Sequence, residues 1–308
     1  MKDLPSPRQL RYLIALSETL HFGRAASMCA VTQSTLSAGL KELEATLGVT
    51  LVERTKRSVV VTALGRVIAA RARETVQALE DLVDLAQSGR GQLMGPLNLG
   101  VIPTIAPYLL PALLTATRKQ FPKLKIFVRE EQTASVLARL HEGALDVALI
   151  ALPYDTDSLT VDEIGAEDVV ICLPTDHPLA KKKSIAAADL KDVPLLLLED
   201  GHCLRDHALA ACRLTTKRAN EVYQATSLAT LVQMVRGGLG VTMLPRMAAP
   251  IETSGQSGIV IRPLERETTA RQIALVWRVS AVKGPEFHKL AGVFRNVFKA
   301  HVRQAQKA

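Results

Sequence analysis

The residues best suited to chemistry are two cysteines nine positions apart, Cys203 and Cys212. Cys203 stands in the run LEDGHCLRD, residues 198–206, whose first residue is also the last of the apolar stretch Leu195–Leu198. Because Gly201 permits a sharp turn and Asp200 can cap a following helix, we expect Cys203 near a helix N-terminus. The dipole there favours a thiolate, which is the form of cysteine that attacks a peroxide O–O bond. His202 and Arg205 can add positive charge or hydrogen bonds around the sulfur.

The spacing of the two cysteines predicts a switch. If residues 203–212 are helical, the rise per residue places their Cα atoms roughly 13 Å apart. A disulfide needs about 4.4–6.8 Å, so the helix must bend or unwind before the two can join. This interpretation fails if residues 204–211 are a loop, and it requires the Cys203 sulfur to be reachable. The alternative is that Cys203 is an inert core residue.

The rest of the composition excludes several classes of site. No CxxC motif and no dense Cys/His cluster is present, so neither a metal nor a cofactor is expected. Cys29 and Cys172 lie in apolar surroundings and are expected to be packing residues. Because no apolar run is long enough for a membrane span and no secretory leader is visible, we expect a cytoplasmic protein without a membrane partner.

The positive charge of the chain is concentrated at its N-terminus. The net charge is +8, and residues 1–75 hold eleven Lys and Arg against six Asp and Glu. Helical spacing of Leu10, Leu13, Ile14 and Leu20 predicts a first helix, and residues 22–28 fit a second. A third helix is expected from Gln33, capped by Thr32, to Leu47 and Gly48. Residues 51–61 then form a hairpin wing.

Two short helices followed by a wing are typical of a winged helix-turn-helix, in which the second helix enters the DNA major groove. Short polar residues open that helix, and basic residues stand at the wing tip, where they can contact phosphate. The candidate DNA-binding residues are Arg24, Gln33, Ser34, Thr35, Ser37, Arg54, Lys56 and Arg57. The alternative is an ordinary three-helix bundle with a solvated charged face.

At these residues the chain resembles the LysR-type winged helix. The resemblance rests on FGRAA at 22–26, QSTLS at 33–37, and LVER at 51–54, with Ser34 standing where many relatives carry proline. A long helix should follow, and apolar positions spaced four and three apart from Ile68 to Ala86 predict a dimerising seam. That helix could instead pack on its own domain. Residues 87–91 are typical of a hinge.

After Pro96, β-rich runs alternate with helical stretches. The predicted strands are residues 97–101, 124–128, 147–150, 169–173, 195–198, 241–244, 259–261 and 273–276. The alternation predicts parallel sheets, and the length favours two α/β lobes with a cleft. Thr104 and Thr133 follow the first two strands, where they could bind a ligand or simply cap helices.

The fold class expected is therefore a multidomain α+β chain. Residues 1–62 form the winged helix-turn-helix DNA-binding domain, residues 63–90 the linker helix and hinge, and residues 91–308 a two-lobed α/β regulatory domain similar to periplasmic binding proteins.

The run at 198–206 with Cys212 closely resembles the OxyR group of LysR regulators. This resemblance implies that Cys203 reacts with hydrogen peroxide and that Cys212 resolves the product into a disulfide. It also implies that Thr104, Thr133, His202 and Arg271 surround the peroxide, with Arg205 and Asp206 supporting them, although Arg271 could equally pair with a carboxylate. The implied protein is a non-enzymatic activator. Its implied partners are double-stranded promoter DNA, RNA polymerase, further copies in a homodimer or homotetramer, and a thiol reductant such as glutaredoxin or thioredoxin.

Two alternatives remain at this point. One is a LysR regulator that senses a small organic anion in the cleft, with incidental cysteines. The other is a thiol peroxidase, for which a DNA-binding N-terminus would have no use.

Overall fold

The computed structural model describes residues 3–54, 59–88, 93–212, 223–255, 257–265 and 270–305. The chain divides into two compact units, one of residues 1–90 with 142–144 and one of residues 91–141 with 145–308. None of the helices in the described ranges is long and apolar enough to span a bilayer.

The N-terminal unit is a three-helix bundle with a short hairpin and a long helix. Its elements are α1 (Pro7–Thr19), α2 (Phe22–Met28), α3 (Gln33–Leu47), β1 (Val52–Arg54), β2 (Val59–Val61) and α4 (Ala63–Ser88). The predicted caps of α3 are confirmed, since Thr32 Oγ1 accepts the Thr35 N–H at 3.2 Å and Gly48 ends the helix with a φ of 68°. Leu20 was wrongly placed in the first helix. It is the left-handed residue that ends α1, and its side chain is exposed.

Helix α4 has two different halves. Ala69, Ala72 and Val76 are buried in the core of the N-terminal unit, as expected for a helix that packs on its own domain. Leu79 and Leu82, further along the predicted seam, are exposed to solvent. The first half therefore stabilises the N-terminal unit, and the second half leaves an apolar row uncovered.

The C-terminal unit begins with β3 (Gly95–Val101), α5 (Ala106–Gln120), β4 (Leu124–Glu130), α6 (Thr133–His141), β5 (Val147–Leu152) and β6 (Leu159–Glu167). It continues with β7 (Val169–Pro174), two 3-10 helices (Pro178–Lys181 and Ala187–Leu190), β8 (Leu195–Leu198), α7 (Cys203–Cys212), β9 (Gln224–Ala225), α8 (Leu228–Arg236), β10 (Val241–Pro245), α9 (Ala249–Glu252) and β11 (Ile259–Pro263). It ends with β12 (Arg271–Arg278) and α10 (Gly284–Ala305).

These strands form two five-stranded sheets, which we call lobe I, with the order β4-β3-β5-β12-β6, and lobe II, with the order β11-β7-β10-β8-β9. The two-lobed α/β prediction is confirmed, but the prediction of parallel sheets was wrong in part. Strand β12 runs antiparallel to β5 and β6, and β7 runs antiparallel to β10 and β11. The reason is that the chain leaves lobe I after β6 and re-enters it at β12, so both crossing strands join their sheets in the reverse direction.

Candidate functional site

The predicted site residues of lobe I meet at one edge of its sheet. Thr104 follows the carboxyl end of β3, and Thr133 opens α6 after β4. Arg271 is the first residue of β12, which runs antiparallel to its neighbour β5, so its start lies at the same edge. This is the edge at which open α/β sheets place their ligands.

Arg271 is fully buried and held by two partners. Its Nε and Nη2 lie 2.8 Å from Oε2 of Glu167, whose other oxygen accepts the Met247 backbone N–H at 2.7 Å. Its Nη1 donates to Thr104 Oγ1 at 2.8 Å, and its Nη2 donates to the Thr104 carbonyl at 2.9 Å. Arg271 therefore pairs with a carboxylate, as the sequence allowed, and at the same time fixes Thr104.

The Thr104 hydroxyl faces the sulfur of Cys203 across the two lobes, with Oγ1 and Sγ 3.9 Å apart. Since Arg271 already donates to this oxygen, the hydroxyl hydrogen remains available for another acceptor. A thiolate at Cys203 can only accept, so Thr104 is the donor whenever the sulfur is charged. The Glu167 carboxylate, the Arg271 guanidinium, the Thr104 hydroxyl and the Cys203 sulfur thus form one continuous series of polar contacts.

Cys203 opens α7, as the sequence predicts, and residues 203–212 are helical. The helical rise separates the Cα atoms of the two cysteines by roughly 13 Å, too far for a disulfide. The Cys212 side chain and the basic segment 213–221 lie outside the described residues. The Cys203 side chain is only 2% exposed, so the expectation of a freely reachable sulfur was wrong. Its burial follows from close packing between the lobes, and the pocket around it carries the Thr104 hydroxyl as well as hydrocarbon.

His202 and Thr133 are both buried beside this chain of contacts. Burial lowers the pKa of His202, against a smaller opposing effect of Glu199, so the imidazole is neutral near pH 7. It therefore offers hydrogen bonds rather than the positive charge that the sequence also allowed. The buried Thr133 hydroxyl makes no hydrogen bond of good geometry among the described residues, although it lies close enough to Tyr154 to affect that phenol, so it can still bond to a small polar ligand.

Tyr154 is a residue that sequence reasoning missed. Burial, and then the charges of Asp206 and Cys203, raise the pKa of its hydroxyl, while the Thr133 hydroxyl opposes the shift. The half-buried tyrosine therefore lies between the Thr133 and Cys203 sides of the site. It follows β5 in a turn-like stretch, where the sequence carries no signal for a site residue.

The turn before α7 is fixed by contacts to both lobes. Gly201 has a φ of 93°, and a Cβ there would lie 2.5 Å from Oε1 of Gln132 in lobe I. Gln132 Nε2 also donates to the Asp200 carbonyl at 3.3 Å. The Asp200 carboxylate, expected to cap the helix, instead accepts from Arg205 Nε at 2.7 Å. Arg205 is 3% exposed and also donates to the Leu198 carbonyl, so it ties α7 to β8.

Asp206, predicted to support the site, lies in the first turn of α7. Burial raises the pKa of its carboxyl group, and the neighbouring His207 and Arg205 oppose that shift. Glu167 is another residue that sequence reasoning missed. Its signal would have been a carboxylate at the end of a strand adjacent to Arg271, but β6 was not among the predicted strands.

The other described cysteines have different surroundings. Cys172 is buried within β7, and burial raises the pKa of its thiol to about 12. Cys29 is partly buried, and burial raises the pKa of its thiol as well. In the described ranges, no group of three or more His, Cys, Asp and Glu residues could hold a metal ion.

The N-terminal unit presents the predicted DNA-contacting residues at the start of α3. Gln33, Ser34 and Thr35 are exposed, and Ser37 is half-buried. The Arg24 guanidinium, in α2, donates to the Thr19 carbonyl at 3.1 Å and is otherwise exposed. The side chain of Arg54 and the whole of Lys56 and Arg57 lie outside the described residues, so their phosphate contacts stay predictions.

Comparisons with known proteins cover nearly the whole chain. Residues 7–66 match "Bacterial regulatory helix-turn-helix protein, lysR family", and residues 90–299 match "LysR substrate binding domain". The chain is 41% identical to a "Probable hydrogen peroxide-inducible genes activator" of Mycobacterium leprae, over 97% of each protein. It is also 41% identical to the "HTH-type transcriptional regulator EstR" of Acinetobacter baylyi, over 96% of this chain and 98% of that protein.

A solved structure is similar over the same length. The full-length OxyR from Pseudomonas aeruginosa, determined as a cysteine variant, shares 36% sequence identity and superposes with a TM-score of 0.79. The match covers 95% of each chain.

Proposed function

Because the chain belongs to the LysR family of bacterial transcription regulators, we propose that it binds promoter DNA and switches when hydrogen peroxide oxidises Cys203. The observation that carries this proposal is the position of the Cys203 sulfur, at the first residue of α7 and 3.9 Å from the Thr104 hydroxyl. The name of the Mycobacterium leprae relative supports peroxide as the signal.

The proposed chemistry begins with the Cys203 thiolate. It attacks one peroxide oxygen, an S–O bond forms, the O–O bond breaks, and the leaving hydroxide takes a proton to become water. Thr104 stabilises the thiolate by donating to it, and the buried Thr133 hydroxyl and the neutral His202 supply hydrogen bonds to the bound peroxide. Arg271 acts through Thr104, to which its Nη1 and Nη2 both donate, while its Nε donates to Glu167.

The second step joins the two cysteines. The Cys212 thiolate attacks the sulfenic sulfur of Cys203, an S–S bond forms, and hydroxide leaves and is protonated. Since α7 holds the cysteines roughly 13 Å apart, it must unwind first. Arg205 and Asp206 lie in the part of α7 that must change. A thiol reductant such as thioredoxin or glutaredoxin would return the protein to its starting state.

Refolding of α7 would then alter how subunits assemble on DNA. The exposed Leu79 and Leu82 of α4 supply an apolar row for a homodimer, from which a homotetramer can be built. Two copies of α3 would read a symmetric promoter in the cytoplasm, and RNA polymerase would respond to their arrangement. The protein acts as a non-enzymatic activator.

The decisive experiment treats the reduced protein with stoichiometric peroxide and maps disulfides by mass spectrometry, with footprinting on promoter DNA in parallel. We expect a Cys203–Cys212 bond and a changed footprint. Cys172→Ser, in the interior of β7, is the matched control that should keep both responses, and Cys203→Ser should lose both. A wild-type protein that forms no such bond would remove the mechanism.

A metabolite sensor is the second candidate, favoured by the equal identity to EstR, whose name does not mention peroxide. In that case Cys203→Ser would leave regulation intact and a small organic anion would bind in the cleft. A thiol peroxidase, the third candidate, would consume many equivalents of peroxide per chain with a thiol reductant.

A further inference from the structure

His207 lies one turn into α7 and contacts two backbone carbonyl groups. Its Nδ1 is 2.7 Å from the oxygen of Cys203, and its Nε2 is 2.9 Å from the oxygen of Leu152. Leu152 ends β5 in lobe I, whereas α7 belongs to lobe II. The half-buried imidazole thus joins the backbone of the reactive cysteine in lobe II to a strand end of lobe I.

A carbonyl oxygen can only accept a hydrogen bond, and a neutral imidazole carries a single N–H. A neutral His207 would therefore satisfy one carbonyl and direct a nitrogen lone pair at the other. An imidazolium donates from both nitrogens and satisfies both contacts. We infer that His207 is protonated on both ring nitrogens in the reduced protein and holds the first turn of α7 against β5.

The surrounding charges are compatible with this assignment. Asp206, adjacent in α7, interacts favourably with a positive His207, and Arg205 on the same helix is already paired with Asp200. Tyr154 lies on the segment after β5, near Cys203 and Asp206. The 3-10 helix Ala187–Leu190, which also packs on α7, carries Asp189, whose carboxylate is held by Lys182 at 2.6 Å.

The consequence for the switch rests on the proposed function. If α7 unwinds when the disulfide forms, the Cys203 carbonyl moves away and His207 loses the arrangement that requires two protons. Reduction of the S–S bond then takes two electrons, the protons that re-form the thiols, and one further proton on His207. Low pH therefore stabilises the reduced form, and high pH destabilises it, by more than protonation of the two thiols alone would produce.

The test is a redox titration of the full-length protein at several values between about pH 5 and 8, the range over which histidine titrates. One extra proton changes the equilibrium constant up to tenfold per pH unit, which is about 30 mV for a two-electron couple. We expect the potential of the wild type to fall more steeply with pH than that of His207→Gln, whose amide does not titrate. The exposed His141→Gln on α6 is the matched control and should keep the wild-type slope.

Equal slopes in the wild type and His207→Gln would overturn the inference. A second measurement needs no disulfide: nitrogen NMR of the reduced wild type near neutral pH, with the His207 signals assigned by their absence in the variant. Two protonated ring nitrogens support the inference, and a neutral tautomer contradicts it. Failure of the wild type to form any disulfide would instead count against the proposed function, while the NMR result would still judge the protonation of His207.

Discussion

Thr104 connects the charged Arg271 of lobe I to the Cys203 sulfur of lobe II. Its oxygen accepts from Arg271, and Arg271 is itself oriented by Glu167. Each of these groups has little freedom because it is buried and bonded on more than one side. The position of the Thr104 hydroxyl oxygen is therefore set by contacts that do not include Cys203.

Replacing Thr104 by valine should slow the reaction of Cys203 with peroxide. A hydrogen bond to a charged group contributes about 1.5–3 kcal/mol, so the rate should fall roughly 10- to 100-fold. The measurement is stopped-flow oxidation of the reduced protein under excess peroxide. Thr104→Ser keeps the hydroxyl and should stay within a few-fold of the wild type, and equal rates for both variants would contradict the role of the hydroxyl.

Glu167→Gln should destabilise the C-terminal unit, because it leaves the Arg271 charge buried without its partner. Breaking one side of a buried pair costs about 3–5 kcal/mol. Glu74→Gln removes a carboxylate from the exposed Arg71–Glu74 pair and should change stability by less than about 0.5 kcal/mol. Denaturant unfolding of both variants checks the difference, and similar midpoints would show that the buried pair is not needed.

The buried His202 should make the fold sensitive to acid. Because burial lowers its pKa, the unfolded chain binds a proton at His202 before the folded chain does. Stability is therefore lost as the pH falls through the ordinary histidine range, near about 6.5, towards the lowered value. Urea midpoints from about pH 8 to 5 should decline less in His202→Gln than in the wild type. An unchanged decline in the variant would place the sensitivity elsewhere.

Single residues were predictable where their type is tied to a local pattern. Cys203 follows from a reactive run and Thr104 from the end of a recognisable strand, whereas Arg271 was indicated only by the resemblance to a known family. Glu167, Tyr154 and Gln132 were not predictable, because their partners are distant in sequence and their positions depend on how the strands pair. The burial of Cys203 also could not be predicted, since it arises from the closure of one lobe on the other.

Among the elements, the turn before α7 is fixed by contacts from both lobes. Its Gly201 combines a left-handed backbone with a close approach of Gln132. Helix α7 and β8 are in turn tied by Arg205, so the whole start of the helix is held from outside. Unwinding of this first turn, which the proposed disulfide requires, must therefore break these contacts.

Gly201→Ala should be more damaging than an alanine at another left-handed glycine. Gly255 has a φ of 66° with open space around it, so Gly255→Ala tests the backbone cost alone, about 1 kcal/mol. Gly201→Ala must also displace the end of the Gln132 side chain and its hydrogen bond to the Asp200 carbonyl, which adds about 0.5–1.5 kcal/mol. Thermal or denaturant unfolding measures both variants. Adding Gln132→Ala should recover most of the difference, and no recovery would mean that the clash is not its source.

Elements were well predicted where the signals are local, as at the caps of α3 and the apolar strands. The pairing direction of β7 and β12 was not, because it is decided by where the chain crosses between the lobes. Strand β6 was missed since its sequence alternates polar and apolar residues, contains Gly165, and lies at the sheet edge.

For the whole molecule, the exposed half of α4 should govern assembly. Leu82→Asp places a charge in the uncovered apolar row, and a fully buried leucine contributes about 1.5–3 kcal/mol. We expect a dimer dissociation constant at least tenfold weaker in analytical ultracentrifugation, with a parallel loss of promoter binding. Glu74→Gln, a charge change at an exposed position of α4 outside that row, is the control that should keep both. Unchanged assembly in Leu82→Asp would place the dimer interface elsewhere.

The chain passes between the lobes at only two places in the described ranges, directly after Glu167 and in the stretch that leads to Arg271. These two side chains are bonded to each other, so the hinge of the domain and the anchor of Thr104 are the same pair of residues. A compound that binds between the lobes and separates them should therefore weaken the response to peroxide, even if it does not contact the Cys203 sulfur. Inhibitors of such a sensor could therefore be compounds that separate the two lobes, rather than compounds that react with the thiol.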